Sequence, residues 1–191
     1  MLMAESCLMH LHLLPIGDVE DGLLKDLRPA IEDTFRISCK VLPARLDPQF
    51  AFHGERQQYH SSEILHRMQS FVREDSWRML GIAAVDLYIP ILTFVFGEAQ
   101  MGGPCSVVSV HRLRQEFYGL PPDEEIFRQR ALKEAVHELG HTINLTHCDD
   151  YRCVMASSHA VEWIDLKASA MCSACLAAVT PAAKVGIEPY F

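Results

Sequence analysis

His137-Glu138-Leu139-Gly140-His141-Thr142-Ile143-Asn144-Leu145-Thr146-His147-Cys148 is the stretch from which the rest of this 191-residue chain is read. His137 and His141 are four apart, so on a helix their imidazoles stand one turn apart on the same face. Two ring nitrogens placed that way reach one metal ion, and Glu138 projects beside them, off the ligating row. That arrangement suits a catalytic zinc with an adjacent general base. His147 lies ten residues past His137, nearly three helical turns along the axis. It meets the same ion only if the helix ends soon after His141 and the chain folds back. Asn144 is the expected point of reversal, because Asn tolerates the left-handed conformation that closes many helices. Three His ligands leave one tetrahedral position for water, as a catalytic site requires and a structural site does not. The five-residue motif alone also occurs by chance on amphipathic helices; the third His at this offset favours metal.

Cys148 follows the third His directly, Cys153 comes after four intervening residues, and Cys172-Ser173-Ala174-Cys175 adds a CxxC pair. Four of the seven cysteines therefore fall in this C-terminal segment. Four thiolates close a zinc site completely, which makes it structural. Disulfides are the alternative, favoured only for an exported chain.

With those residues in view, the pattern HExxHxx(G/N)xxHC, four residues, CxM, a spacer and CxxC resembles that of the archaemetzincins, a branch of the metzincin zinc peptidases. Upstream, Arg56-Gln57-Gln58-Tyr59, Asp86-Leu87-Tyr88 and Phe94-Val95-Phe96-Gly97-Glu98-Ala99 also look familial. Two departures stand out: Asn144 where most metzincins have Gly, and a spacer from Met155 to Cys172 one residue short. The resemblance implies that Met155 is the Met-turn residue beneath the histidines, although a methionine is more commonly core filler. It also implies an extended peptide substrate laid along an edge strand, residues 92–97 by chain order, with strand addition supplying binding.

Composition bounds the rest. An apolar fraction of 49% and a charged fraction of 22% are globular values, and the length suits a single domain with a proper core. We expect one metzincin-like catalytic domain over residues 1–191, with an N-terminal part (1–143) ending in the active-site helix. The C-terminal part (144–191) would carry the Met-turn and the four-cysteine site. The formal net charge of −8 argues against a grip on nucleic-acid phosphates or anionic membrane. Residues 1–14 are apolar but carry Glu5, no Lys or Arg, and no small-residue cleavage site follows, so they do not read as a convincing export signal. No apolar run reaches the length of a membrane span. The expectation is a cytoplasmic monomer with reduced thiols, in which Cys7, Cys39 and Cys105 are ordinary buried cysteines.

Periodicity places strands at residues 9–16, 36–42, 80–85, 92–96 and 106–110, and helices at 19–35 and 62–74. Residues 47–61 read as irregular. Gly102-Gly103-Pro104 marks a connection between strands. The active-site helix should begin near Pro122-Asp123-Glu124-Glu125, with a break allowed before Ala131, and run to about Ile143. A loop and one final helix near residues 166–178 should carry the CxxC. Strands alternating with helices give an α/β (α+β) fold with a mixed, twisted sheet, which the resemblance further describes as having one antiparallel edge strand.

The remaining candidates carry less. His10 and His12 would share a strand face without a third ligand, and His53, His60, His66, His111 and His159 lack partners at metal spacing. Asn144-Leu145-Thr146 matches a glycosylation sequon but sits inside the metal loop. Ser157 and Ser158 have no evident base. The expectation is a zinc-dependent metallopeptidase holding two zinc ions. The catalytic ion sits on His137, His141 and His147, with Glu138 moving the proton; the structural ion sits on Cys148, Cys153, Cys172 and Cys175. A free amino terminus, if the enzyme trims small peptides like an aminopeptidase, would need a carboxylate; Glu98, Asp149 and Asp150 are available. The alternative is a non-catalytic, zinc-stabilised binding protein, for which Glu138 would have no use. A nucleic-acid-binding zinc module lacks the basic stripe it would need.

Overall fold

Leu11 to Ile16 are all buried, and that continuous burial puts the strand they belong to in the middle of the molecule. The computed structural model describes residues 9–179, so Cys7 lies outside the described residues. In chain order the elements are β1 (His10–Ile16), α1 (Asp21–Phe35), β2 (Cys39–Val41), β3 (Phe52–His53), β4 (Gln58–His60) and α2 (Ser61–Met68). There follow β5 (Ser76–Ala83), β6 (Leu87–Tyr88), β7 (Gly97–Ala99), β8 (Cys105–Ser109), α3 (Glu124–Thr142), α4 (Val161–Leu166) and α5 (Ser173–Ala178). The main sheet runs β2-β1-β5-β8-β7. All its pairings are parallel except the last: β7 lies antiparallel against β8 at the edge. This is the expected mixed α/β sheet with one antiparallel edge strand.

Helices cover both faces, as parallel strands require. On one face, Leu23, Leu27 and Ile31 of α1 and Ala131, Ala135 and Leu139 of α3 pack with Leu11, Leu13, Leu80 and Val108. On the other, Ile64, Leu65 and Met68 of α2 pack with Leu14, Ile16, Met79 and Val107. Among the described residues no helix is long and apolar enough to cross a membrane.

Several boundaries differ from the sequence reading, each for a local reason. Arg36 adopts a left-handed conformation (φ 51°) that closes α1, so only residues 39–41 of the alternating stretch pair as a strand. Residues 47–61 hold β3 and β4, which with β6 form a second, three-stranded sheet; at two and three residues they are too short to show a period. β5 starts at Ser76, earlier than residue 80, because the Arg78 guanidinium finds backbone acceptors in Trp77 and Thr142 and so tolerates a mostly buried strand. Residues 92–96 are not a strand. The Leu92 and Thr93 carbonyls accept hydrogen bonds from Arg56, and Gln58 also donates to Thr93, leaving Val95 a single bridge to Leu87. The edge strand begins at Gly97. α3 runs unbroken from Glu124 to Thr142. The C-terminal helix expected at 166–178 is shorter, α5 alone (Ser173–Ala178), and a second short helix, α4 (Val161–Leu166), precedes it across a non-helical link.

Candidate metal centres and the cleft

Asp123 caps α3 by accepting the Ile126 N–H (2.9 Å), and Glu124 and Glu125 favour the positive end of the helix. At the other end, Asn144 and Leu145 donate to the carbonyls of His141 (3.0 Å) and Gly140 (3.1 Å), and Asn144 stands at φ 68°. That left-handed residue is the expected reversal. It is braced from the β7–β8 connection: the Gly102 N–H also reaches the His141 carbonyl (3.1 Å), and a Cβ on Gly102 would strike the Asn144 amide.

The turn brings His147 back to His137 and His141, with one donor nitrogen of each within 4.8 Å of the others. His137 Nδ1–H donates to the Val154 carbonyl (2.8 Å) and His141 Nδ1–H to the Leu145 carbonyl (2.7 Å). A carbonyl only accepts, so each proton sits on Nδ1 and each Nε2 presents a lone pair. These two Nε2 atoms stand 3.1 Å apart. Zinc–nitrogen bonds of about 2.0–2.1 Å at a tetrahedral angle would separate two nitrogens by about 3.3 Å, so the pair fits around one ion. Burial, reinforced by the Lys167 ammonium, holds His137 well below the usual imidazole range, and burial lowers His141 and His147 as well. Neutral rings are the form that binds metal.

Glu138 is buried beside them, and burial, followed by the charge of Glu134, raises its carboxyl well above the usual range, with Lys167 opposing. Glu134 precedes it by one turn of α3 and pairs with Lys167 (3.3 Å), both side chains fully enclosed. Further along α3, Arg130 grips Asp165 through two 2.7 Å bonds, and Lys133 donates to the Ile164 and Asp165 carbonyls. The end of α4 is thereby fastened to the helix that carries the histidines.

The second cluster joins Cys148, Cys153, Cys172 and Cys175, again with all four sulfurs within 4.8 Å. Sγ of Cys148 lies 3.8 Å from Cys172 and Sγ of Cys153 lies 3.7 Å from Cys175. The thiols are free, not disulfides. Zinc–sulfur bonds of about 2.3 Å put two sulfurs about 3.8 Å apart across a tetrahedron, which these spacings match. The Cys175 N–H lowers the Cys172 thiol to about 7, easing release of its proton. Met155 is fully buried beneath Gly140, where any Cβ would overlap its sulfur, so it lies under the histidine helix.

The three histidines and Glu138 open onto a cleft of about 620 Å³ that Phe94, Phe96, Met101, Ser157 and His159 also line. His159 has no partner at metal spacing along the chain; the fold brings it to the cleft. Glu98 also borders the cleft, but its carboxylate accepts the Ser61 and Ser62 hydroxyls (2.8 Å to Ser62) at the start of α2, on the face opposite Glu138. Asp150 accepts the Arg152 N–H (3.0 Å), and Tyr151 is exposed. His10 contacts Lys40 and His12 contacts Ser76; they join no metal-ligating group among the described residues.

A three-imidazole cluster beside a buried glutamate, on the floor of a cleft under an antiparallel edge strand, defines a zinc metallopeptidase. A profile of peptidase family M54 matches residues 39–180. The archaemetzincin of Methanocaldococcus jannaschii is 41% identical over 169 residues, covering 88% of this chain and 92% of that one. The crystal structure of the Archaeoglobus fulgidus archaemetzincin, complexed with malonate, superposes with a TM-score of 0.77 at 33% identity over 88% of this chain and 99% of the other. A zinc-dependent peptidase from Methanocorpusculum labreanum gives 0.82 at 26% identity, over 89% and 100%. The chain belongs to peptidase family M54, the archaemetzincins.

Proposed function

We propose that this enzyme hydrolyses peptide bonds with a catalytic zinc on His137, His141 and His147 and with Glu138 as general base, while Cys148, Cys153, Cys172 and Cys175 hold a second, structural zinc. The observation that carries the reading is the pair of Nε2 lone pairs 3.1 Å apart, each fixed by the bond its Nδ1 makes, next to a buried carboxyl. Zinc held there would polarise the scissile carbonyl and acidify a water toward a pKa of about 7. Glu138 takes the proton of the attacking water and hands it to the leaving amine; its buried setting favours proton uptake. Met155 supports the imidazoles from below, in the manner of a Met-turn.

The substrate is a peptide or protein. Ser109 donates to Phe96 (2.7 Å) and Gln100 to Cys105 (3.0 Å), so the backbone groups of Phe96, Glu98 and Gln100 face β8. By alternation those of Gly97 and Ala99, which line the cleft, face away from the sheet and are free to pair with an extended substrate. Trimming from an amino terminus would need a carboxylate at the cleft; of Glu98, Asp149 and Asp150, Glu98 is the one that borders it, although it also accepts the Ser61 and Ser62 hydroxyls. Unlinked thiols in the cysteine cluster suit a cytoplasmic setting.

The test is Glu138→Gln on a peptide library presented with free and with acetylated amino termini. Hydrolysis should fall about 10²–10⁴-fold with zinc content unchanged. Wild-type turnover in that variant would remove Glu138 from the mechanism. Cleavage confined to free amino termini would mark a trimming enzyme.

A further inference from the structure

His147 is the weak member of its cluster. Among the described residues its ring makes no hydrogen bond, whereas His137 and His141 are each anchored through Nδ1. It is also the exposed one of the three. What places it is its own backbone, and the next residue is Cys148, whose N–H donates to the Met155 carbonyl (3.0 Å) while its sulfur joins the cysteine cluster.

The opposite strand of that contact is just as tightly shared. Cys153, Val154 and Met155 are consecutive and buried. Cys153 contributes its sulfur to the cysteine cluster, where it also accepts the Cys172 N–H (3.3 Å). Val154 gives its carbonyl to His137 and its N–H to the Ala170 carbonyl (3.1 Å), close to Cys172. Met155 sits under Gly140 and receives Cys148. On its N-terminal side His147 lies two residues past Leu145, which the Gly140 carbonyl holds; on its C-terminal side it is held through Cys148, and the hydrogen bond that orients His137 comes from Val154, beside Cys153.

We infer that the four-cysteine cluster is the positioning element of the three-histidine site: filling it with metal fixes the Val154 carbonyl and the His147 backbone, and emptying it weakens metal binding at the histidines. The inference rests on the two-zinc reading above. Outer partners that orient a ligand typically change metal affinity about 10–100-fold; here Cys153 adjoins Val154, the partner of His137, and Cys148 adjoins the ligand residue His147 itself.

The experiment measures zinc per chain and zinc affinity, by competition with a fluorescent chelator, on the reduced full chain. Wild type should hold two ions, and His141→Ala should hold one, assigning the ion that is lost to the histidines. Cys172→Ser should hold less than one, with the surviving ion bound at least about tenfold more weakly than the histidine-site ion of the wild type. One ion at wild-type affinity in Cys172→Ser would overturn the inference and leave the two-site reading intact. One ion or none in the reduced, zinc-replete wild type would overturn the reading itself, and the inference with it. Should Cys172→Ser not fold, linkage supplies the second measurement: coupling is reciprocal, so the cysteine site of His141→Ala must lose affinity too. An unchanged cysteine site in that variant would equally overturn the inference.

Discussion

The Cα of Gly97 lies against the carboxylate of Glu138: a Cβ added to Gly97 would come within 2.5 Å of Glu138 Oε1, 2.6 Å of its Cγ and 2.7 Å of its Cδ. Gly97 is not among the positive-φ glycines, so space is what calls for it here. The edge strand passes directly over the buried carboxyl, and the absent side chain is what lets the two approach.

Gly97→Ala should therefore displace Glu138 without touching the imidazoles. A shift of about 1 Å in a catalytic group costs on the order of 10²-fold in rate, and the overpacking itself costs about 1–3 kcal/mol of stability. Steady-state kinetics with zinc analysis checks this. Wild-type kcat/KM in a zinc-replete Gly97→Ala would show that the carboxylate has room to spare.

Glu134 and Lys167 form a buried ion pair at the back of the cleft, 33 positions apart in the chain. Removing one partner leaves the other charge enclosed, so Glu134→Gln should destabilise the fold by about 3–5 kcal/mol. The double variant Glu134→Leu with Lys167→Met removes both charges and should recover most of that loss. Urea unfolding of the single and double variants decides the matter; equal losses in both would mean that packing, not charge, is what the pair contributes.

Asn144 holds a left-handed conformation with its amide over Gly102. Asn144→Gly should be close to neutral, while Asn144→Ala should cost about 1 kcal/mol, because alanine keeps the Cβ and loses the polar side chain that lets Asn tolerate that region. Denaturant midpoints check it, and a neutral Asn144→Ala would place the reversal's stability elsewhere.

The histidines and cysteines were readable because their relations are local. Four residues on a helix is one turn, and the reversal at Asn144 was demanded by the distance from His137 to His147. The same locality made Glu138 and the CxxC legible. Where periods were long, as in β1, α1 and α3, the elements came out within a few residues. Where they were short, as in β3 and β4, or interrupted, as at residues 92–96, no period existed to read. Arg56 and Gln58 look like surface polar residues in a loop, and only the fold shows them occupying the carbonyls that a strand there would have used.

By itself the sequence determined the family, through its motif, and, through chain spacing and the pitch of a helix, the two sets of candidate metal ligands, the place of Glu138 beside one of them and the mixed α/β class. Only the tertiary structure decided that Glu98 turns away to two serines, that Gly97 seats Glu138, that Lys167 answers Glu134 and that His159 walls the cleft. Those relations join residues tens of positions apart, and their partners are set by which faces of packed elements meet. No spacing along the chain encodes that.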